Sequence, residues 1–345
     1  MSEANYLQWL TSETQTTWWH DSADPDELRQ ALGYAATGVT SNPVLTYRAL
    51  VSHPDKWGYL YRSVPPDLSP EERAEALMQR VLRPVAQMME PVYRQTDGKE
   101  GYVCAQVNPA RAWDRETMEL MAKRYHSWAP NIAVKLPVTA AGLDVLEDCT
   151  AQGITVTATV SFTVPQVVAV AERHRKGVAR ARRDGTRPGH CFAVIMIGRL
   201  DDYLRDVIVD RSEGVGEEDI RQAGLAVTKR AYAIFQERNY DAVLLVAALR
   251  GTYHMTELAG AKLIMSIHPK IRSMILQANL AHETGIEGPV ADSVIDRLRI
   301  VPEFVRSYEP DGLAPEDFIT FGPCQRTLTQ FSEAGWERLA SFMMS

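Results

Sequence analysis

The chain has 345 residues, of which 45% are hydrophobic and 23% are charged, a composition typical of a globular protein with a large core. Its net charge of −7 gives no overall excess of positive charge of the kind that binds nucleic acid, and its apolar runs are too short for a membrane span. The first residues are polar and acidic, unlike a secretory signal, so we expect a cytoplasmic protein that acts on a small molecule.

Short apolar runs alternate with longer amphipathic stretches along the chain, a pattern that indicates repeated βα units around a parallel sheet. The runs that we predict as strands lie at 16–22, 37–42, 101–107, 131–137, 154–162, 191–198, 242–249 and 261–267. Eight strands are the number that closes a barrel. The predicted fold class is α/β: one (β/α)8 TIM-type barrel domain over residues 1–345, with the barrel at about 14–270 and a helical C-terminal tail at about 271–345.

Two helices between these strands have clear sequence signals. Ser69 is a predicted N-cap, and Glu72 completes a capping box before an apolar stripe. A second helix is predicted from about 217 to 238. The segment 173–190 contains seven arginines and lysines and almost no acids. It is either a solvated basic helix and loop or a basic edge of the barrel mouth that attracts phosphate.

The spacing of cysteines and histidines predicts neither a disulfide framework nor a metal site. No C-x-x-C pair and no H-E-x-x-H motif occurs, so we expect no metal and no other cofactor. Free, buried thiols are the expected state of Cys104, Cys149, Cys191 and Cys324. Three histidines remain candidates for polar residues of a pocket: His20, His254 and His268.

Lys135 interrupts the apolar run at 131–137, where a lone ammonium group is costly to bury. A desolvated lysine has a lowered pKa, so part of it is the neutral amine that attacks carbonyl groups. The spacing alone also allows a lysine that extends to water at the end of its strand. Other predicted strands likewise have polar residues near their carboxyl ends, where barrels build active sites: Asp21, Thr40, Asn42, Gln106, Asn108, Thr157, Thr159, Arg199 and Arg250.

Five motifs in this order resemble those of the transaldolase family, and the resemblance covers about residues 14–270. Gly38–Pro43 is similar to the family's G-V-T-T-N-P loop, and Ala133–Thr139 is similar to its Schiff-base strand. The remaining three segments resemble E-G-I-x-x-N-x-T, G-R-I-x-D and R-N followed by L-A-G, and they lie at 152–159, 198–202 and 250–260.

The resemblance implies a metal-independent enzyme of carbohydrate metabolism and the pentose phosphate pathway, with a sugar or sugar phosphate as its partner. Lys135 would form an imine with a ketose, and Asp21 would transfer protons at the aldol bond. Gln106 would orient water or substrate, because an amide cannot titrate, and Thr159 would position the catalytic water. The implied substrate-binding residues are Thr40, Asn42 and Thr157, together with Arg199 and Arg250 for the phosphate.

Several residues depart from the family pattern. Gln106 stands where classical transaldolases have a glutamate and where the fructose 6-phosphate aldolase branch has a glutamine, whereas Met196 matches neither branch. Val194 and Ala248 replace serines near the implied phosphate site, and Thr157 replaces an asparagine. The reaction stays open between transfer of a dihydroxyacetone unit and its release, as in an aldolase. The protein could also be a barrel that only binds a sugar phosphate, or another lysine-dependent barrel aldolase. The sequence also leaves a homo-oligomer open.

Overall fold

The computed structural model describes residues 5–55, 57–58, 63–209 and 214–342, and it contains a closed barrel of parallel strands. The strands are β1 (Thr17–Asp21), β2 (Gly38–Thr40), β3 (Val103–Gln106), β4 (Ile132–Pro137), β5 (Val156–Thr159), β6 (Cys191–Met196), β7 (Val243–Ala247) and β8 (Ile264–Ile267). Because β8 pairs with β1, the sheet has no free edge. The predicted (β/α)8 barrel is confirmed.

Some predicted strands are longer than those in the structure. The run at 154–162 contains β5 only as far as Thr159, because Val160 has a φ of 57°. This left-handed conformation is unfavourable for a β-branched residue, and it turns the chain out of the sheet. Phe162 is then buried as part of a loop rather than a strand. The run at 191–198 is shortened in a similar way, because a helix begins at Ile197.

The helices of the barrel layer are α1 (Tyr6–Glu13), α2 (Pro25–Leu32), α3 (Pro43–Ser52), α4 (Pro70–Gln95), α5 (Arg115–His126), α6 (Ala140–Ala151), α7 (Val164–Arg183), α8 (Ile197–Val209), α9 (Glu217–Glu237) and α10 (Thr252–Thr256). Both predicted helix starts are confirmed, and Ser69 and Glu72 form the capping box before α4. No helix within the described ranges is both long and apolar enough to cross a membrane.

The basic segment lies away from the barrel mouth. α7 runs antiparallel to the strands, so its C-terminal part approaches the end of the barrel where the strands begin. Arg173 and Arg180 pair with acidic residues of α6 at 2.7 Å, and the Gly189 N–H donates to the Thr150 carbonyl at the end of that helix. The prediction of a basic edge at the mouth is therefore wrong, and the alternative of a solvated basic helix is confirmed.

The chain after β8 folds back over the barrel. It forms α11 (Pro269–Gln277), α12 (Asp292–Leu298), α13 (Pro302–Tyr308), α14 (Gly322–Phe331), a π-helix (Ser332–Trp336) and α15 (Glu337–Ala340). Cys324 in α14 donates to the Val160 carbonyl at 3.3 Å, just beyond β5. The π-helix packs on α3, and a Cβ atom on Gly335 would come within 2.6 Å of the Val44 nitrogen. α14 is thereby held beside the carboxyl ends of the strands.

Candidate active site

A cleft of about 500 Å³ opens at the carboxyl ends of the strands, where (β/α)8 barrels place their active sites. Seven of the nine predicted site residues line it: Asp21, Thr40, Asn42, Lys135, Thr159, Arg199 and Arg250. The other two, Gln106 and Thr157, do not line it. The barrel therefore brings together side chains from β1, β2, β4 and β5 and from the segments that follow β2, β6 and β7.

Lys135 occupies the inner wall of this cleft. It pairs in register with Gln106 on β3 and Thr157 on β5, so the three side chains lie on the same face of the sheet. Only 5% of Lys135 is exposed, and its Nζ donates to the Ser41 carbonyl at 3.0 Å. Burial lowers the pKa of Lys135 below the ordinary lysine value of 10.5, and the nearby Cys104 and Asp21 oppose this shift only in part. The lowered pKa increases the fraction of Lys135 that is the neutral, nucleophilic amine.

A short hydrogen-bond chain orients Asp21 across the cleft. The Thr40 hydroxyl donates to Asp21 Oδ1 at 2.7 Å, and the Ser266 hydroxyl lies 2.6 Å from the same Thr40 oxygen. Because Thr40 has one hydroxyl proton and gives it to Asp21, Ser266 must donate to Thr40. Asn42 Oδ1 caps α3 by accepting the Leu45 N–H at 3.0 Å, which leaves the amide NH₂ group as its donor to a ligand.

The three polar side chains on either side of Lys135 differ in their contacts. Gln106 Oε1 and Thr159 Oγ1 are buried and have no hydrogen-bond partner among the described residues. Such groups are usually paired, so both have unused hydrogen-bonding capacity: Thr159 for water or a substrate hydroxyl in the cleft, and Gln106, which does not line the cleft, for water. The Thr157 hydroxyl lies 3.3 Å from Cys104 Sγ, below the cleft. Thr157 is therefore placed to support the surroundings of Lys135 rather than to contact a ligand in the cleft.

Arg199 and Arg250 are brought together by a close approach of two backbone segments. A Cβ atom on Gly198 would overlap the carbonyl oxygen of Ala248, so only glycine allows this approach. Ala248 itself has a φ of 60°, and its carbonyl accepts a hydrogen bond from Arg250 Nη1 at 2.9 Å. The glycine that precedes Arg199 in the sequence motif is thus required by packing.

The two guanidinium groups differ in their electrostatic surroundings. Arg250 donates to Asp202 Oδ2 from Nη2 at 2.6 Å and from Nε at 3.0 Å. Arg199 forms no ion pair with a described residue; its Cζ lies 5.3 Å from the centre of the Phe331 ring. Burial, together with the nearby charge of Arg250, lowers the pKa of Arg199 to about 10. Arg199 is still a cation at neutral pH, and its charge is free to bind an anionic ligand.

A buried pair supports the turn that carries Arg250. His254 Nδ1 accepts the Arg250 backbone N–H at 3.2 Å, so the proton of the neutral imidazole must be on Nε2, which lies 3.2 Å from Asp201 Oδ2. Asp201 Oδ1 accepts the Gly224 N–H at 2.8 Å, and burial raises the pKa of this carboxyl group. The pair links α8, α9 and the Arg250 turn.

The other histidines and the cysteines are located as follows. His268 lines the cleft, as predicted, whereas His20 and His254 do not, because His20 is buried within the protein and His254 pairs with Asp201. In the described ranges, no three His, Cys, Asp or Glu side chains come close enough to hold a metal ion. The four cysteines are free and buried, which confirms that prediction.

Several cleft residues were not found from the sequence: Arg48, Ser266, Lys270, Gln330 and Phe331. Ser266 lies in a predicted strand, so the rule that active sites form at strand ends could have identified it. Phe331 in α14 had no such signal. Its ring centre lies 6.0 Å from Lys135 Nζ and 5.3 Å from Arg199 Cζ, so it connects the two ends of the site.

Comparison with known proteins gives consistent similarities. The sequence model of the family described as Transaldolase/Fructose-6-phosphate aldolase matches residues 18–299. A transaldolase of Neisseria gonorrhoeae is 27% identical over 321 residues, which cover 91% of this chain and 82% of that protein. A transaldolase of Thiobacillus denitrificans is 29% identical over 68% of each chain. One of Thermobifida fusca is 30% identical over 58% of this chain and 55% of that protein.

Proposed function

The chain belongs to the transaldolase/fructose-6-phosphate aldolase family, and on that premise we propose that Lys135 forms an imine with a ketose phosphate. The enzyme would then make or break an aldol carbon–carbon bond and transfer or release a dihydroxyacetone unit. The observation that best supports this proposal is the Lys135 amine itself, which is buried in the cleft with a lowered pKa. A barrel that only binds sugar phosphates would gain nothing from a buried amine.

The proposed reaction begins when the Lys135 amine adds to the ketose carbonyl and water is lost. The protonated imine withdraws electrons from the neighbouring carbon, so the bond between C3 and C4 can break without a metal. Asp21 removes the proton of the C4 hydroxyl, the C4 fragment leaves as an aldehyde, and the bonding electrons form an enamine with Lys135. The hydrogen bond from Thr40 orients the Asp21 carboxylate for this proton transfer.

The enamine has two possible fates, and both use the same residues. It can attack an acceptor aldehyde, in which case Asp21 returns the proton to the new hydroxyl group. Alternatively, it takes a proton on carbon, and water then hydrolyses the imine and regenerates the amine. Gln106 and Thr159 have free hydrogen-bonding capacity beside Lys135, and we assign them the orientation of this water.

The position of the two arginines supports a phosphorylated substrate. Lys135 Nζ and Arg199 Cζ lie 6.0 and 5.3 Å from the centre of the same Phe331 ring, so one sugar chain can reach both side chains. We assign the carbonyl end of the sugar to Lys135 and its phosphate to Arg199 and Arg250. Asn42 and Thr40 line the same cleft, on either side of Ser41, and are the proposed partners of the sugar hydroxyls.

Borohydride reduction followed by intact-protein mass measurement tests this proposal. With fructose 6-phosphate or dihydroxyacetone, we expect a stable adduct on the wild-type chain and none on Lys135→Met. The matched control is Lys270→Met, which removes another lysine of the same cleft and should leave the adduct intact. Failure of the wild-type chain to form an adduct with either ketose would disprove imine chemistry on these substrates.

A second assay separates transfer from release. The chain is incubated with fructose 6-phosphate in the presence and absence of an acceptor aldehyde such as erythrose 4-phosphate. Product formation that requires the acceptor identifies a transferase, whereas free dihydroxyacetone formed without it identifies an aldolase. Gln106 cannot act as an acid or base, so this assay also shows whether orientation of water by an amide is sufficient for release.

A further inference from the structure

A second, polar cleft of about 230 Å³ adjoins the active-site cleft. The two clefts share Arg199, Arg250 and Gln330, so the arginines form part of the boundary between them. The far wall of the second cleft is built by α14, through Pro323, Arg326 and Thr327. An anionic group bound by the two arginines therefore lies within reach of the C-terminal helix.

The barrel side of this region offers few neutral hydrogen-bond donors. Several side chains from β6 and from the segment after β7 that line the active-site cleft are apolar, among them Val194, Ala248 and Leu249. Arg250 has three of its five N–H groups in hydrogen bonds to Asp202 and Ala248. A tetrahedral oxyanion has more acceptor positions than Arg199 and the remaining N–H groups of Arg250 can fill.

Neutral side chains that can donate hydrogen bonds lie on the α14 side of the second cleft. Thr327 Oγ1 accepts from Arg199 Nη1 at 3.4 Å, and no described residue accepts its hydroxyl proton. Gln330 is exposed on the same helix and lines both clefts. Arg326 adds a third guanidinium group, held by Asp206 at 2.6 Å and stacked on the Tyr203 ring at 4.8 Å.

We propose that α14 completes the anion-binding site, and that the terminal phosphate of the sugar lies between Arg199 and this helix. Thr327 and Gln330 donate hydrogen bonds to the phosphate oxygens, and Arg326 contributes charge at the outer end. The inference rests on the proposed function, because it takes the anion to be part of the sugar that reacts with Lys135. The C-terminal segment is then a specificity element as well as a part of the fold.

Binding measurements that do not require the imine test this inference. In the Lys135→Met background, isothermal titration calorimetry gives the Kd of fructose 6-phosphate for the parent and for added Thr327→Val or Gln330→Leu. Each substitution removes one hydrogen bond to a charged group, so we expect Kd to rise about 10-fold. Thr329→Val is the matched control, because Thr329 is exposed on the same helix and lines neither cleft.

A second arm uses the chain with Lys135 intact and dihydroxyacetone, which has no anionic group. The dihydroxyacetone concentration at which borohydride trapping is half-saturated should be the same in Thr327→Val, Gln330→Leu and the wild type. Circular dichroism melts show whether the buried Thr327→Val variant is folded, and Gln330→Leu changes an exposed residue and provides an independent test.

The outcomes distinguish this inference from the proposed function. Unchanged Kd values for fructose 6-phosphate in both variants, or equal losses with dihydroxyacetone, would show that α14 does not bind the anion. A parent chain that binds neither fructose 6-phosphate nor inorganic phosphate would also overturn it. Absence of any borohydride adduct on the wild-type chain would instead contradict the proposed imine, while the calorimetric comparison would still decide the role of α14.

Discussion

Replacement of Lys135 by methionine should abolish the imine and, at the same time, stabilise the fold. Lys135 Nζ makes one hydrogen bond, to Ser41, and no carboxylate lies within ion-pair distance among the described residues. An ammonium group in these surroundings is poorly compensated for the loss of water. Methionine has nearly the same length and no charge, so it should fill the same space without this penalty.

The size of the effect follows from two opposing contributions. Replacement of buried ion pairs by apolar side chains of similar volume stabilises by about 1–4 kcal/mol; we take this range for the unpaired Lys135 ammonium, and loss of the hydrogen bond to Ser41 offsets about 1 kcal/mol. The net gain is about 0–3 kcal/mol. With an unfolding entropy of about 2.1 cal/mol/K per residue and 345 residues, 1 kcal/mol raises Tm by about 1.4 °C. We therefore expect Tm to increase by up to about 4 °C.

The assay is a thermal melt of both chains at pH 7 and pH 9.5. In the folded chain the pKa of Lys135 is lower than 10.5, so protonation of this amine destabilises the fold. The penalty is absent above pH 10.5, where the lysine is neutral in the folded and the unfolded chain. It is complete once the pH has fallen below the folded pKa. The Tm advantage of Lys135→Met should thus be smaller at pH 9.5. Lys176→Met, at an exposed position of α7, is the control and should change Tm little. A lower Tm for Lys135→Met at pH 7 would refute the argument that burial destabilises this amine.

Three further predictions concern the same site. The rate of borohydride trapping should rise with pH to a plateau with a midpoint below 10.5, because the neutral amine is the nucleophile and burial lowers the pKa of Lys135; a midpoint at or above 10.5 would contradict this. In His254→Asn the side-chain oxygen can take the place of Nδ1 and accept the Arg250 N–H, whereas the longer side chain of His254→Gln places its polar atoms near the position of Nε2. Calorimetry should therefore show about 3- to 10-fold weaker binding of fructose 6-phosphate to the glutamine variant than to the asparagine variant. Equal affinities would show that the Arg250 turn does not depend on this bond. Gly198→Ala should lower the free energy of unfolding by about 1–3 kcal/mol, because its Cβ atom overlaps the Ala248 carbonyl, and an unchanged denaturation midpoint would show that the two segments can separate.

The barrel and the positions of most cleft residues were predictable because they follow from local patterns. A parallel strand buried on both faces is a continuous apolar run, and the carboxyl ends of all strands meet at one end of the barrel. Polar residues at those ends, such as Asp21 and Thr159, therefore come together whatever the details of packing. Lys135 was recognisable because a charged residue within an apolar run needs a physical reason.

Local patterns failed where a residue's partner is distant in the sequence. The basic residues at 173–190 have the same composition at either end of the barrel, and only the direction of α7 places them away from the mouth. Thr157 alternates in phase with Thr159, yet it lies one layer deeper, against Cys104. The assignment of His254 as a pocket residue failed because its partner, Asp201, is 53 positions away.

The sequence alone therefore determined the fold class, the buried lysine of the cleft and most of the side chains around it, because strand periodicity and strand-end polarity are local properties. Only the tertiary structure decided how the C-terminal tail contributes. Cys324 contacts Val160 across 164 residues, and Phe331 lies over Lys135 and Arg199 as a result of that packing. No pattern within α14 specifies which surface it covers, since the complementary surface is formed by residues from distant parts of the chain after the barrel has closed.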